Sequence, residues 1–233
     1  MSNFNNPLQP STLDDFAISS ASSKLQLESI ANGTVPFPMF QHAICLWGTY
    51  GTGKTTLAEL LPKLLESTGN LRQSSRAESF FSSQDYWQLT GCGFGSNAVE
   101  MMQDIKKRAQ SDVFASPKGW FYEILDEVDN LTPAAQASLK SMIGSVSTIF
   151  VMTTNNPHKL DKGLIDRSLM IEMNQPKPAE MEPVARRLLQ KMGLTGNEVD
   201  SATLHQLAVA SKGSMRSFAA AVSILGVEHG GVI

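Results

Sequence analysis

The residues Gly48-Thr49-Tyr50-Gly51-Thr52-Gly53-Lys54-Thr55 satisfy the pattern G-x-x-x-x-G-K-[ST] at every fixed position. Glycines at these spacings let the backbone curl until successive N–H groups point inward, at the positive end of a following helix, where they can cradle phosphate oxygens. In such a cradle Lys54 reaches the β and γ phosphates and Thr55 offers its hydroxyl to Mg²⁺. The chemistry implied is binding of ATP with Mg²⁺, by Gly48, Thr49, Tyr50, Gly51, Thr52, Gly53, Lys54, Thr55 and the adjoining Thr56. The bland alternative is a glycine-rich turn with a surface lysine.

A second cluster, Asp126-Glu127-Val128-Asp129, follows the apolar run from Trp120 to Leu125. Acids delivered by the carboxyl end of a sheet strand stand where open α/β sheets place their ligands. Asp126 is placed to hold Mg²⁺ through water, and Glu127 to orient and deprotonate an attacking water. One acid for the metal beside one for the water is a hydrolase arrangement, although an acidic loop with capping roles has the same composition. Glu123 interrupts the apolar run, and a carboxylate there needs a partner or an edge position.

The elements that must position these groups follow from hydropathy. Ala43 to Trp47 is a short apolar run ended by Gly48, as a buried strand should be, and Leu57, Leu60, Leu61, Leu64 and Leu65 follow at helical spacing. Further strands are predicted at Tyr86–Leu89, Trp120–Leu125, Thr148–Met152 and Leu169–Met173, and a helix at Val99–Ala109. Before them, Ser19 to Ser23 caps a short helix bearing Leu25, Leu27 and Ile30. Alternation of strands with helices predicts an α/β fold, a five-stranded parallel sheet with helices on both faces. Beyond Pro176 and Pro178 the pattern is purely helical, with Met181–Met192, Ala202–Ala210 and Met215–Leu225 punctuated by Gly193, Gly196 and Gly213. The expected division is a nucleotide-binding domain over 1–175 and a small all-α lid domain over 176–233.

Composition sets the outer bounds. The chain has 233 residues, 42% of them hydrophobic, enough for one large domain and a small one. A net charge of -3 excludes a wholly basic nucleic-acid coat and leaves local phosphate contacts open. Cys45 and Cys92 lie far apart without metal-ligand spacing, which excludes a zinc ribbon and fits a reducing compartment. No apolar run approaches the ~18 residues of a membrane span. With a polar N-terminus, the chain is expected in the cytoplasm, or the host cell's cytoplasm for a viral protein.

Several stretches together resemble the clamp-loader clade of AAA+ ATPases, which includes replication factor C small subunits and their bacterial and phage equivalents, over roughly Pro10 to Leu225. Pro10-Ser11-Thr12-Leu13-Asp14-Asp15 is similar to the clade's N-terminal segment, which lies beside the adenine and here falls within residues 1–15. Leu131 to Lys140 resembles the helix after its acidic box. In Phe150-Val151-Met152-Thr153-Thr154-Asn155-Asn156-Pro157, Asn155 matches sensor 1, whose amide can bond the γ phosphate and the attacking water. A plain turn at Asn155-Asn156-Pro157 is the alternative. Arg167 in Ile165-Asp166-Arg167-Ser168 matches the arginine finger that completes a neighbouring subunit's site, although Asp-Arg-Ser replaces the usual Ser-Arg-Cys and a salt bridge to Asp166 is the alternative. Arg216, in Lys212-Gly213-Ser214-Met215-Arg216, resembles sensor 2.

The resemblance implies an oligomeric ATPase of DNA replication, a ring of five or six like or unlike subunits, or a filament, with a sliding clamp or another replication protein as partner. The clade's collar domain and zinc-binding insertion are missing from the pattern, and the small size fits a virus or phage. Lys106, Lys107 and Arg108 form a basic cluster that either tracks a DNA backbone without reading sequence or is a solvated helix face. Helicase loaders and transposition-type ATPases are alternatives, a viral superfamily 3 helicase is another, and an ATP-binding assembly subunit with little turnover is a different class.

Overall fold

The computed structural model describes residues 8–67, 86–93, 98–109, 116, 119–144 and 148–232. The first seven residues of the polar N-terminus lie outside this set. Five strands, β1 (Ala43–Trp47), β2 (Trp87–Gly91), β3 (Phe121–Asp126), β4 (Thr148–Thr154) and β5 (Ser168–Glu172), form one sheet in the order β2-β3-β4-β1-β5. Every pairing is parallel, so the strands need crossovers, and helices supply them on both faces.

Alternation along the strands sorts the core into two layers. Cys45, Leu125, Phe150 and Met152 face α3 (Ala98–Ala109), α4 (Pro133–Met142) and α5 (Lys162–Asp166), where Ile105, Leu139 and Leu164 are buried. Ile44, Leu46, Ile124 and Val151 face the other way, onto Leu27 and Ile30 of α1 (Ala21–Ala31) and Leu57, Leu61 and Leu65 of α2 (Lys54–Ser67). The α1 start is capped by Ser20, whose Oγ accepts the Ser23 N–H at 3.3 Å. The chain then ends in α6 (Pro178–Lys191), α7 (Ser201–Ala210) and α8 (Met215–Glu228), which share a separate hydrophobic cluster built on Met181, Leu189, Leu204, Phe218 and Val222. The parallel sheet and the helical C-terminal region match the fold the sequence predicts.

The structure resolves the expectation for Glu123. β3 is an inner strand and Glu123 has 0% exposure, so an edge position does not explain it. It has partners instead: Arg108 Nη2 donates to Oε1 at 2.8 Å, Arg108 Nε to Oε2 at 3.1 Å, and Thr90 Oγ1 to Oε1 at 2.7 Å. Burial raises the Glu123 carboxyl above its ordinary value, and the Arg108 and Thr90 bonds oppose that only in part. Nε and Nη2 of Arg108 are thus engaged by a carboxylate that would otherwise be unpaired in the core, a structural role the basic cluster did not suggest. Lys106 and Lys107 remain exposed on α3, with Lys107 3.4 Å from Asp104.

Removing one partner of a buried pair strands the other charge. Arg108→Ala should destabilise the fold by about 3 kcal/mol or more, whereas Lys106→Ala should fall within about 0.5 kcal/mol of wild type. Urea unfolding monitored by circular dichroism checks this, and equal midpoints for the two variants would show that the Arg108 pair contributes nothing.

Candidate active site

Gly48 to Gly53 span the turn from β1 to the α2 N-terminus. Two glycines are required by close approach as well as by positive φ. A Cβ on Gly48 (φ 145°) would sit 2.3 Å from the Met173 carbonyl oxygen, and one on Gly51 (φ 75°) 2.8 Å from Ser214 Oγ. The loop therefore closes against the end of β5 and the start of α8. Lys54 is buried, and its ammonium donates to the carbonyls of Gly48 at 3.0 Å and Thr49 at 2.5 Å. Burial lowers its pKa, an effect that the charges of Asp126, Asp129 and Glu127 oppose.

Next to the loop, Thr55 Oγ1 donates to Asp126 Oδ1 at 2.9 Å. Thr153, at the end of β4, donates its hydroxyl to the same oxygen at 2.5 Å and accepts the Glu127 N–H at 3.0 Å. Glu127 is in the left-handed region, φ 61° and ψ 50°, a conformation costing a non-glycine residue about 1–3 kcal/mol. Its exposed carboxylate accepts from Asn130 Nδ2 at 3.2 Å.

These groups line the polar end of a cleft of about 370 Å³, which also takes in Asn155 and Arg216. The side-chain amide of Asn155 makes no hydrogen bond to another described residue, and Asn155 lines the cleft. Arg216 has an exposed side chain, and its backbone N–H donates to the Gly51 carbonyl at 3.3 Å, joining the α8 start to the phosphate loop. The apolar end is lined by Leu8, Phe16 and Ala17 of the N-terminal segment and by Val184, Leu188, Met215 and Ala219 of α6 and α8. That segment is tied to α6: Asp15 lies 2.8 Å from Lys191 Nζ, Asp14 2.9 Å from Arg187 Nη2, and Ser19 Oγ donates to Glu180 at 2.7 Å. Burial would raise the Asp15 carboxyl, but the Lys191 bond and the backbone N–H groups of Ser11 and Thr12 hold it below its usual value.

Of the predicted site residues, Gly48 and Thr49 stand behind the phosphate loop, where their carbonyls hold Lys54, and Arg167 alone lies apart from both loop and cleft. It caps the C-terminus of α5, exposed, with Nη1 3.4 Å from the Gly163 carbonyl, and forms no ion pair with Asp166 among the described residues. Sequence reasoning missed Thr153, Thr154 and Asn156, which sit beside Asn155 in the same Thr-Thr-Asn-Asn run, and Asp129, which closes the acidic box.

The donor set fits a nucleoside triphosphate: a lysine and a curled backbone at one end of the cleft, and aliphatic walls for a base at the other. It fits Mg²⁺ as well. Among the described residues no cluster of three metal-ligating side chains exists. A hydroxyl on a carboxylate, Thr55 on Asp126, suits an ion that takes its remaining oxygens from phosphates and water.

A phosphate loop after the inner strand β1, an acid pair at the end of the neighbouring strand but one, and a helical unit closing the cleft define a P-loop nucleotide-binding protein. The model of the ATPase family associated with various cellular activities (AAA) matches residues 44–175, and the chain belongs to that family. It is an ATPase of the AAA+ fold. Among solved structures it is similar to the RuvB Holliday junction branch migration motor of Thermotoga maritima, at 19% identity and a TM-score of 0.64, covering 94% of this chain and 65% of that one. A point mutant of the same RuvB gives 19% identity and a TM-score of 0.67 over 93% and 64% of the two chains. The chain thus spans about 65% of the length of these structures. No curated protein sequence matches it.

Lys54→Ala removes the only charged donor of the phosphate loop. Affinity for a fluorescent ATP analogue should fall at least tenfold to a hundredfold, roughly the worth of a charge-assisted bond, while circular dichroism stays that of wild type. Undiminished affinity in the folded variant would show that the loop does not hold phosphate.

Proposed function

We propose that this chain is an oligomeric AAA+ ATPase, related to clamp loaders, that hydrolyses ATP between subunits and uses the energy on DNA in replication. The observation that carries the reading is the separation of Arg167 from its own cleft, which holds Lys54, Thr55, Asp126, Glu127, Asn155 and Arg216. An exposed arginine at a helix end, outside the site it should serve, is what sharing a site between two chains requires. Residues 1–175 would form the ATPase domain and 176–233 a lid hinged on the phosphate loop through Gly51, Ser214 and Arg216. No helix among the described residues is long and apolar enough to cross a membrane, in keeping with action on cytoplasmic DNA.

The roles follow from position. Lys54 meets the β and γ phosphate oxygens at the floor of the cleft. Thr55 and Asp126 would hold Mg²⁺, which when bound offsets phosphate charge. Glu127, turned out of the sheet by its backbone, takes the proton of the attacking water, a contribution of about 10²–10⁴-fold. Asn155 orients that water and the γ phosphate, and Arg216 reports the phosphate to the lid. Arg167 of a neighbouring subunit stabilises the charge of the transferring phosphoryl group. Lys106 and Lys107, exposed on α3, are the DNA contacts. The likeness to a branch migration motor favours, as a second reading, a motor that moves on duplex DNA without a sliding clamp.

Glu127→Gln should bind ATP as wild type does but turn over about 10²–10⁴-fold more slowly. Steady-state phosphate release at the wild-type rate would move the base elsewhere.

The shared site is tested by mixing. Arg167→Ala should keep ATP binding and lose about 10³-fold or more in turnover. Combining it with the equally inactive Lys54→Ala should restore turnover, because a mixed interface pairs an intact phosphate loop with an intact arginine. Absence of recovery in mixtures whose co-assembly is shown by crosslinking would overturn the shared site, as would full activity of Arg167→Ala alone.

A further inference from the structure

We propose that Asp129 is a positioning residue that sets Asn155 at a fixed distance from Glu127. The inference rests on the reading of Asn155 given above. It begins where the sheet ends. The β3–β4 ladder stops at Leu125↔Met152, yet β4 runs on to Thr154, held on its other side by Trp47 of β1. Glu127 and Asn155 both lie beyond that last β3–β4 pair, so no backbone ladder fixes their separation.

Side chains take over that task in two steps. Thr153 joins Asp126 and the Glu127 N–H, as described. Asp129, in the 3-10 turn Val128–Asn130, then holds the residues flanking Asn155. Its Oδ1 accepts Thr154 Oγ1 at 2.8 Å, and its Oδ2 accepts Asn156 Nδ2 at 2.7 Å. Thr154 Oγ1 accepts the Asn156 N–H at 3.0 Å, which closes the loop around Asn155. The Asn155 N–H faces the same carboxylate. Burial would raise the Asp129 carboxyl, but the bonds from Asn156, Thr154 and the backbone hold it below its usual value, so it stays an acceptor on both oxygens. One carboxylate thus binds residues 154 and 156, and Asn155 between them lines the cleft. Glu127 leaves the same turn two residues earlier. A shift of the β4 exit against this turn changes the spacing between the base and the residue that orients its water.

A residue that only stabilises the loop would lower activity independently of Asn155, whereas one that acts through Asn155 would not. The test is therefore a double-mutant cycle of Asp129→Ala and Asn155→Ala, reading kcat, ATP-analogue affinity and melting temperature. Asp129→Ala should lower kcat roughly tenfold to a hundredfold, as loss of an oriented polar group does, with affinity changed less than about threefold. In the Asn155→Ala background the same substitution should cost less than about threefold more. Asn156→Ala, which removes one bond and keeps the carboxylate, should give an intermediate loss and serves if Asp129→Ala does not fold. An impaired Asn155→Ala in which Asp129→Ala, or Asn156→Ala in its place, costs its full factor again overturns the positioning role alone. Wild-type kcat in Asn155→Ala overturns both that role and the reading of Asn155.

Discussion

One oxygen of Asp126 receives the hydroxyls of Thr55 and Thr153, and the site depends on that junction. Thr55 opens α2, Asp126 ends β3, and Thr153 belongs to β4. The three come together only because the sheet order places β3, β4 and β1 side by side, with the phosphate loop leaving β1. The apolar packing of Ile44, Ile124 and Val151 against α2 holds the helix start over the strand ends. Burial of such side chains contributes about 1.5–3 kcal/mol each, far more than a single hydrogen bond, so the core sets the geometry and the polar junction selects its register.

The other wall of the cleft is organised differently. The N-terminal segment lies between the sheet and the C-terminal helices: Phe16 packs against the α1–α2 layer, while Ala17 is part of the α6–α8 cluster. Its ion pairs with Arg187 and Lys191 are partly exposed and worth at most about 1 kcal/mol each, so apolar contact keeps it in place and the charges set its position along α6. The α8 start touches Gly51 through the Arg216 N–H and Ser214. A change in the phosphate loop therefore meets the helical unit at one of its ends and the apolar wall of the cleft at another.

Most of the fold was legible because its signals are local. Short apolar runs ended by glycine or acids mark strands buried on both faces, and the phosphate loop declares itself by spacing. What stayed hidden depends on partners distant in sequence. Glu123 reads as a flaw until Arg108, fifteen residues earlier, is folded over it, and a run of three basic residues does not reveal that one of them is paired with a buried carboxylate. Thr153 and Asp129 look unremarkable singly, since their importance arises from the end of a backbone ladder, which a sequence does not display. The left-handed backbone of Glu127 was equally hidden, for a glutamate carries no conformational signature of the kind glycine does.

That backbone has a reason in the alternation of β3. Glu123 and Leu125 point to the face covered by α3, α4 and α5, and Tyr122, Ile124 and Asp126 to the face of α2. Continuing the strand would send residue 127 back under α3 to α5, where Glu123 already needs both Arg108 and Thr90 to be tolerated. A second carboxylate there would lack a cation, and leaving it uncompensated would cost several kcal/mol. The left-handed turn costs about 1–3 kcal/mol and avoids that penalty. It is offset in turn by the Thr153 acceptor for the Glu127 N–H and by full burial of Val128 immediately after. The strain at Glu127 thus follows from a sheet covered on both faces: a carboxylate one residue past the strand end reaches the cleft only if the backbone turns away from the pleat.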